Sequence, residues 1–355
     1  MSSATTSGKT FSARLIAWQA SDGRHDLPWQ NTQDAYRIWL SEIMLQQTQV
    51  ATVIPYYQRF LARFPNVKAL AEAPLEAVLE SWAGLGYYAR ARNLHRSAQI
   101  VASEYDGIFP HLARQIEQLP GVGRSTAAAI GAFAFASQGA ILDGNVKRVL
   151  TRCFAVPELS SAAQSTKALW QLAESLLPAT QIAAYTQGLM DLGATLCTRQ
   201  KPLCPTCPMH DICIAYQEGR QKASAPSTLK KPRPEKDVSV FLISDGARVL
   251  LERRPPIGIW GGLLALPESA LGKDKDVAEK LARQHACRLH EMSAMPALKH
   301  AFSHFYLQLH PVLCRVEPLG LGVAEAGWHW LPHAEIETAA LPAPIRRLLR
   351  AMLTL

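Results

Sequence analysis

From Phe11 to about residue 200, apolar residues recur at intervals of three and four, as in Ile38, Trp39 and Leu45 and again in Leu70, Leu75, Val78, Leu79 and Trp82. That period belongs to the α-helix, so this stretch predicts helix after helix with few strands. The pattern breaks at GRQKASAPSTLKKPRPEK, residues 219–236, which is rich in Pro and Lys and poor in apolar residues. Arg220, Lys222, Lys230, Lys231, Arg233 and Lys236 face a single acid there, Glu235. Such a segment reads as an extended linker able to lie along a phosphate backbone. Beyond it the period shortens. DVSVFLIS, Asp245-Gly246 and ARVLLERR form a β-hairpin signal. A helix is expected over residues 277–287, β-like runs over 305–316 and 327–331, and an apolar-periodic helix over 345–353. The expected fold is a mainly α N-terminal region followed by an α+β C-terminal domain.

A length of 355 residues leaves room for two cores. The expected division is 1–218, a basic linker 219–236, and 237–355. With 48% hydrophobic and 19% charged residues the composition is that of a globular protein, and no apolar run reaches the roughly 18 residues of a membrane span. Lys and Arg total 37 against 29 Asp and Glu, a net charge of +8, which favours polyanionic partners, nucleic acid before a membrane surface. The opening MSSATTSGKT lacks an apolar targeting core, so a cytoplasmic location is expected.

Four of the seven cysteines, Cys197, Cys204, Cys207 and Cys213, crowd into one short segment with the spacing C-x6-C-x2-C-x5-C. Cys153, Cys287 and Cys314 are scattered, as small core residues are. The segment TRQKPLCPTCPMHDIC has too few large apolar residues to hold itself by burial, and thiolates converging on a metal would tie it down. Only Cys204 and Cys207 form the short-spaced pair that zinc sites prefer, while uneven spacing suits an iron–sulfur cluster with separated iron corners. Zinc remains open on spacing alone; disulfides fit poorly with an odd cysteine total and no secretory signal.

Three further segments carry candidate chemistry. LPGVGRSTAAAIGAFAF, residues 119–135, is a Gly-rich turn feeding a helix. Gly121 and Gly123 leave no side chains in the way, so backbone N–H groups can point at a phosphate. With a preceding helix over 112–118 this makes a helix–hairpin–helix within 112–136, although a plain packing corner has the same local signature. Glu42 falls on the apolar stripe of IWLSEIMLQQTQV, where burial would raise its pKa and make it a proton donor, unless a cation pairs with it. Asp143, in ILDGNVKRVL, reads as a helix N-cap, and an ionised carboxylate held that way could also face a positively charged sugar.

Taken together, WLSEIMLQQTQVATVIPYY, GLGYYARARNLH, LPGVGRSTA, ILDGNVKRV, MDLGATLCT and the four-cysteine pattern resemble the adenine DNA glycosylases of the MutY type, relatives of endonuclease III. The resemblance covers essentially the whole chain. It implies a six-helix barrel with the helix–hairpin–helix, a helical module holding one [4Fe–4S] cluster in the loop 197–213, and a Nudix-like C-terminal domain. It further implies removal of adenine paired with 8-oxoguanine or guanine in duplex DNA, with the base flipped into a pocket, and action as a monomer. Carried onto this chain, Glu42 matches the acid that protonates adenine N7, Asp143 the carboxylate that stabilises the sugar cation, and Asn145 a residue that positions sugar and water. Gln47 and Tyr87 fall where the family inserts wedges into the base stack.

Ser125 stands where strand-cleaving relatives have a Lys that attacks the sugar; a hydroxyl cannot form a Schiff base, so lyase activity is not expected. Gln30 and Gln187 stand where other members carry charged residues. In the C-terminal domain Glu268, Asp274, Asp276 and Glu279 are dispersed, without the compact carboxylate box of a Mg²⁺-dependent Nudix hydrolase. HAFSHF, residues 300–305, resembles instead the family loop that reads 8-oxoguanine, with Phe302 as a stacking wedge and Ser303 and His304 as hydrogen-bonding groups. The alternation alone would read as a half-buried strand. Two rival functions follow: a bifunctional pyrimidine glycosylase/lyase, disfavoured by Ser125, and a lesion-binding protein without catalysis, disfavoured by Glu42 and Asp143 being present together.

Overall fold

The computed structural model describes residues 2–156, 161–221, 232–320 and 327–354. Its contacts group the described residues of Met1–Glu72 and Asn93–Thr228 into one compact unit, and those of Ala73–Arg92 and Leu229–Leu355 into a second. Lys222, Lys230 and Lys231 of the basic linker lie outside the described residues.

The helices of the N-terminal two-thirds are, in chain order, α1 (Ser2–Asp22), α2 (Ala35–Leu45), α3 (Val50–Arg63), α4 (Val67–Glu72), α5 (Leu75–Trp82), α6 (Ala89–Glu104), α7 (Ala113–Glu117), α8 (Arg124–Phe135), α9 (Gly144–Phe154), α10 (Ala162–Ser175), α11 (Ile182–Asp191) and α12 (Ile214–Gln217). Polar caps fix several starts. Asp34 accepts from the backbone N–H of Tyr36 and Arg37 at the head of α2, and Ser161 from that of Gln164 at the head of α10. Ala136 and Ala155 end α8 and α9 in the left-handed conformation. Phe11 and Leu15 of α1, Val146, Val149 and Leu150 of α9, and Tyr185 and Leu189 of α11 share one buried core. Helix α2 lies against α3 and α8 through its own apolar stripe, with Trp39, Leu40 and Met44 fully buried. No helix among the described residues is long and apolar enough to cross a membrane.

The second unit is built on a mixed eight-stranded sheet: β1 (Glu235–Ser244), β2 (Arg248–Arg253), β3 (Leu264–Ala265), β4 (Glu268–Ser269), β5 (Cys287–Ala294), β6 (Leu298–Ala301), β7 (Tyr306–Pro318) and β8 (Trp328–Pro332). The main path runs β3-β2-β1-β7-β5. The expected hairpin joins β1 and β2, with the Asp245 carboxylate accepting from the backbone N–H of Ala247 and Arg248 in its turn. At the centre β1 pairs with β7 in parallel, from Glu235 opposite Tyr306 to Ser244 opposite Arg315. Helix α13 (Asp274–Gln284) covers β1, β5 and β7, burying Ala278, Leu281 and Ala282 beside Phe241 and Cys314. Helix α14 (Ala343–Met352) closes the chain. The helix expected over 277–287 therefore sits slightly earlier. It stops because Ala286 turns left-handed, with φ of 50°, and Cys287 opens β5.

Candidate functional site

Glu42 lines a cleft of about 600 Å³ in the first unit, together with Trp29, Gln30, Ile38, Leu45 and Gln187. Its position on α2 follows from the stripe: the neighbours one turn away, Ile38 and Trp39, are buried. Glu42 is itself half-buried, and it has no hydrogen-bond or ion-pair partner among the described residues. Burial, reinforced by the negative charge of Asp143, pushes its pKa up to about 8. The ordinary buried ion pair is thereby replaced by a carboxyl that is protonated at neutral pH.

Asp143 is exposed and caps α9, its Oδ1 accepting from the Val146 N–H at 2.7 Å. Its Oδ2 makes no hydrogen bond among the described residues. Two carboxyl groups thus share one field with opposite tendencies, one driven neutral by burial and one exposed and capped. That is the division of labour expected of a proton donor and a charge stabiliser. Asn145 stands two residues on, where its Oδ1 accepts from Arg148 Nη2 at 2.8 Å. Arg148 also donates to the Gly193 and Cys197 carbonyls at 2.6 and 2.7 Å, tying the first turn of α9 to the chain that enters the cysteine segment. Gly193 is what allows the approach, since a Cβ there would fall 2.6 Å from Asn145 Cβ.

The cleft rim also explains two glutamines. Gln30 folds back on its own loop, accepting from the Leu27 N–H at 3.1 Å and donating to the Arg24 carbonyl at 2.8 Å. Gln187 donates to Asp191 Oδ1 at 2.9 Å. Asp191 is fully buried, and its charge is matched by the Arg24 guanidinium at 2.6 Å, with the Arg24 backbone N–H at 2.9 Å on the other oxygen. The partners are 167 residues apart, which no local pattern reveals. An Asp on the apolar face of MDLGATLC was the one available signal.

Between α7 and α8 the predicted hairpin is present. Val122 N–H closes a turn onto the Leu119 carbonyl at 3.0 Å, and Gly121 adopts φ of 80°. A Cβ on Gly121 would come within 3.0 Å of Asn93, whereas one on Gly123 would meet nothing within 4 Å. Gly123 therefore presents open backbone at the head of α8, where a phosphate can approach. Ser125 follows in the first turn of α8, with its Oγ accepting from the Leu142 N–H at 2.9 Å. The two candidate wedges share a backbone property. Gln47 has φ of 57° and Tyr87 φ of 49°, and both side chains are exposed. In the second unit the Arg90 guanidinium lies 5.5 Å over the Tyr87 ring and donates to the Gly86 carbonyl at 3.2 Å, bracing that loop.

Cys197, Cys204, Cys207 and Cys213 all line one cavity, beside Val149 and Leu192. A short π-helical turn, Leu192–Leu196, delivers Cys197 from the end of α11. Arg152 is buried and donates through Nη1 to Cys197 Sγ at 3.3 Å and to the Thr198 carbonyl at 2.8 Å. A hydrogen bond from Cys153 favours the thiolate of Cys213, while burial raises the thiols of Cys204 and Cys207, the latter to about 11. A positive centre in the cavity would reverse that rise, because a metal binds the thiolate form. Among the described residues, no three His, Cys, Asp or Glu side chains converge as the ligands of a single metal ion. Four iron corners do not require such convergence on one point, so the donor set fits a cluster.

In the second unit HAFSHF is half strand and half turn. β6 ends at Ala301, and Phe302 N–H bonds the Phe305 carbonyl at 2.9 Å to close a hairpin tip onto β7. Phe302 is half-buried: its ring stacks on Phe305 at 4.6 Å and meets His300 edge-on at 4.7 Å. Ser303 and His304 are the exposed pair, 3.3 Å apart between Oγ and Nδ1. Of the dispersed acids, Glu268 is engaged by Arg254, which also binds Glu252.

The family model described as HhH-GPD superfamily base excision DNA repair protein matches residues 40–175, and a NUDIX domain model matches residues 239–351. The adenine DNA glycosylase of Buchnera aphidicola subsp. Acyrthosiphon pisum is 37% identical, over 96% of this chain and 96% of that one. The adenine DNA glycosylase of Homo sapiens is 33% identical, over 96% of this chain and 73% of its own length. Among solved structures, a thermostable thymine-DNA glycosylase superposes with a TM-score of 0.54 and 31% identity, covering 60% of this chain and 98% of that chain.

Proposed function

This chain belongs to the adenine DNA glycosylase family of base excision repair, and from that premise we propose that it removes adenine paired with 8-oxoguanine or with guanine in duplex DNA, by hydrolysis and without cleaving the strand. The observation that carries the reading is Glu42: a carboxyl in a cleft, without a cation, held protonated by burial and by Asp143. The substrate base enters that cleft flipped from the duplex. Glu42 gives its proton to adenine N7, the C1′–N9 bond breaks with its electrons passing to the base, and adenine leaves neutral. Asp143 offsets the positive charge left on the sugar, and Asn145, fixed by Arg148, orients the sugar and the incoming water. Water adds at C1′, and the proton it sheds restores the carboxyl of Glu42.

Ser125 supports hydrolysis without strand cleavage, because that position offers no amine. Gly121 and Gly123 bind the backbone, Gln47 and Tyr87 enter the base stack, and Ser303 and His304, with Phe302 holding their turn, read the partner base. Cys197, Cys204, Cys207 and Cys213 hold one [4Fe–4S] cluster, which when bound crosslinks a segment that has little apolar core of its own. The protein acts as a cytoplasmic monomer. The test is direct: incubate it with duplexes holding A:8-oxoguanine, A:G or A:C and assay free adenine. Release from the first two and little from the third is expected. No release from any overturns the reading in favour of lesion binding, and pyrimidine release would favour the lyase-type relatives.

A further inference from the structure

We propose that Ser125 is a positioning residue for Asp143, acting through the backbone N–H of Leu142. The proposal rests on the glycosylase reading above, in which Asp143 faces the sugar. Between α8 and α9 the chain from Ala136 to Asp143 has no regular secondary structure, so its amide groups have no ladder to bond to. Ile141 and Leu142 bury their side chains, which sets the depth of the segment but not its rotation about its own axis. The rotation is set by the Leu142 N–H, which donates to Ser125 Oγ at 2.9 Å. The next residue is Asp143. Forward of it, the carboxylate is tied to α9 through Val146 at 2.7 Å. Asp143 is thus held from both sides, once by its own helix and once by the hairpin helix, and its Oδ2 is the oxygen left over.

The residue type matters in a way that the missing amine does not cover. A serine hydroxyl accepts a hydrogen bond; a lysine ammonium has three donors and no acceptor. A Lys at this position would leave the half-buried Leu142 N–H without its partner. The serine therefore does more than omit a nucleophile: it supplies the acceptor that fixes the stabilising carboxylate. Threonine keeps that acceptor and alanine removes it.

The experiment compares wild type, Ser125→Ala and Ser125→Thr in single-turnover adenine release from an A:8-oxoguanine duplex. Binding to a duplex carrying a non-hydrolysable adenosine analogue is measured alongside, with amide hydrogen exchange at Leu142. Ser125→Ala is expected to release adenine about tenfold more slowly, as for loss of one neutral hydrogen bond of about 1–1.5 kcal/mol. Its binding should stay within about twofold, and Leu142 should exchange faster. Ser125→Thr should restore both rate and protection. An unchanged rate in Ser125→Ala, a loss of binding in step with rate, or faster exchange that threonine reverses without restoring the rate would each overturn the proposal. Wild-type protein that releases no adenine would overturn the glycosylase reading and this proposal with it, which separates the two failures.

Discussion

Glu42 on α2 keeps its proton because it is buried and because the negative charge of Asp143, capping α9, adds to that burial. Desolvation is the larger cause, and the field of the exposed carboxylate adds to it in keeping Glu42 neutral. Glu42 should accordingly supply its proton up to a pH of about 8, and adenine release should fall above that value. Glu42→Gln should keep DNA affinity and lose a factor of roughly 10² to 10⁴ in rate, because an amide has no proton to give. Stability carries the same signature. The folded pKa lies above the ordinary value of 4.5, so the contribution of this group is complete below about 4.5 and lost as pH rises through about 8. Melting temperatures should therefore move in favour of Glu42→Gln across that window. Wild-type turnover in Glu42→Gln would reject the assignment of the acid.

Asp143→Asn should abolish adenine release for the opposite reason, by removing the charge that faces the sugar cation. It should also release its hold on the Glu42 proton. A carbon-13 titration of the Glu42 carboxyl should show a lower pKa in Asp143→Asn than in wild type. An unshifted titration would mean that burial alone sets Glu42.

Anaerobically purified protein should be yellow-brown and contain about four irons per chain, as a [4Fe–4S] cluster requires. One zinc and no iron would sink the cluster. Cys204→Ser should lose soluble yield before it loses any single chemical step, since binding and folding of the segment are coupled.

Borohydride should fail to trap wild-type protein on DNA in amounts that track base excision. Ser125→Lys should yield some trapping, because it brings an amine near the sugar. Abundant trapping by wild type would overturn the monofunctional reading.

Replacing Phe302, Ser303 and His304 together by Ala should cost more on A:8-oxoguanine than on A:G, by about 1–3 kcal/mol, as for one base-specific contact. Removing residues 237–355 should act in the same sense. Equal losses on both substrates would leave this domain a role in affinity alone.

What the sequence disclosed was local. The apolar stripe placed Glu42, the glycines of LPGVG placed a turn ahead of α8, and Asp245-Gly246 placed the hairpin of β1 and β2, because each signal is complete within a few residues. β5 carries no such signal, because most of its residues are exposed and its register shifts between Leu289 and Glu291, which erases the two-residue period. β3 and β4 have two residues each and carry no period at all. The site's supporting groups were hidden for another reason. Arg148 reaches Cys197, Arg24 reaches Asp191 and Ser125 reaches Leu142 across separations of 49, 167 and 17 residues, and only the folded chain brings them together. The motif HAFSHF was visible, but its alternation concealed that it bends after Ala301, where Phe302 stacks on Phe305.

The parallel pairing of β1 with β7 sets an order of events during synthesis. β1 and β2 can form their hairpin as soon as they leave the ribosome, but the other edge of β1 has no partner until Tyr306–Pro318 has been made. Until then Phe241 and Ile243, fully buried in the finished unit, are part of an open strand edge of high β-propensity. The second unit is therefore completed late, and a chain stopped between β2 and β7 should aggregate rather than leave a smaller folded domain.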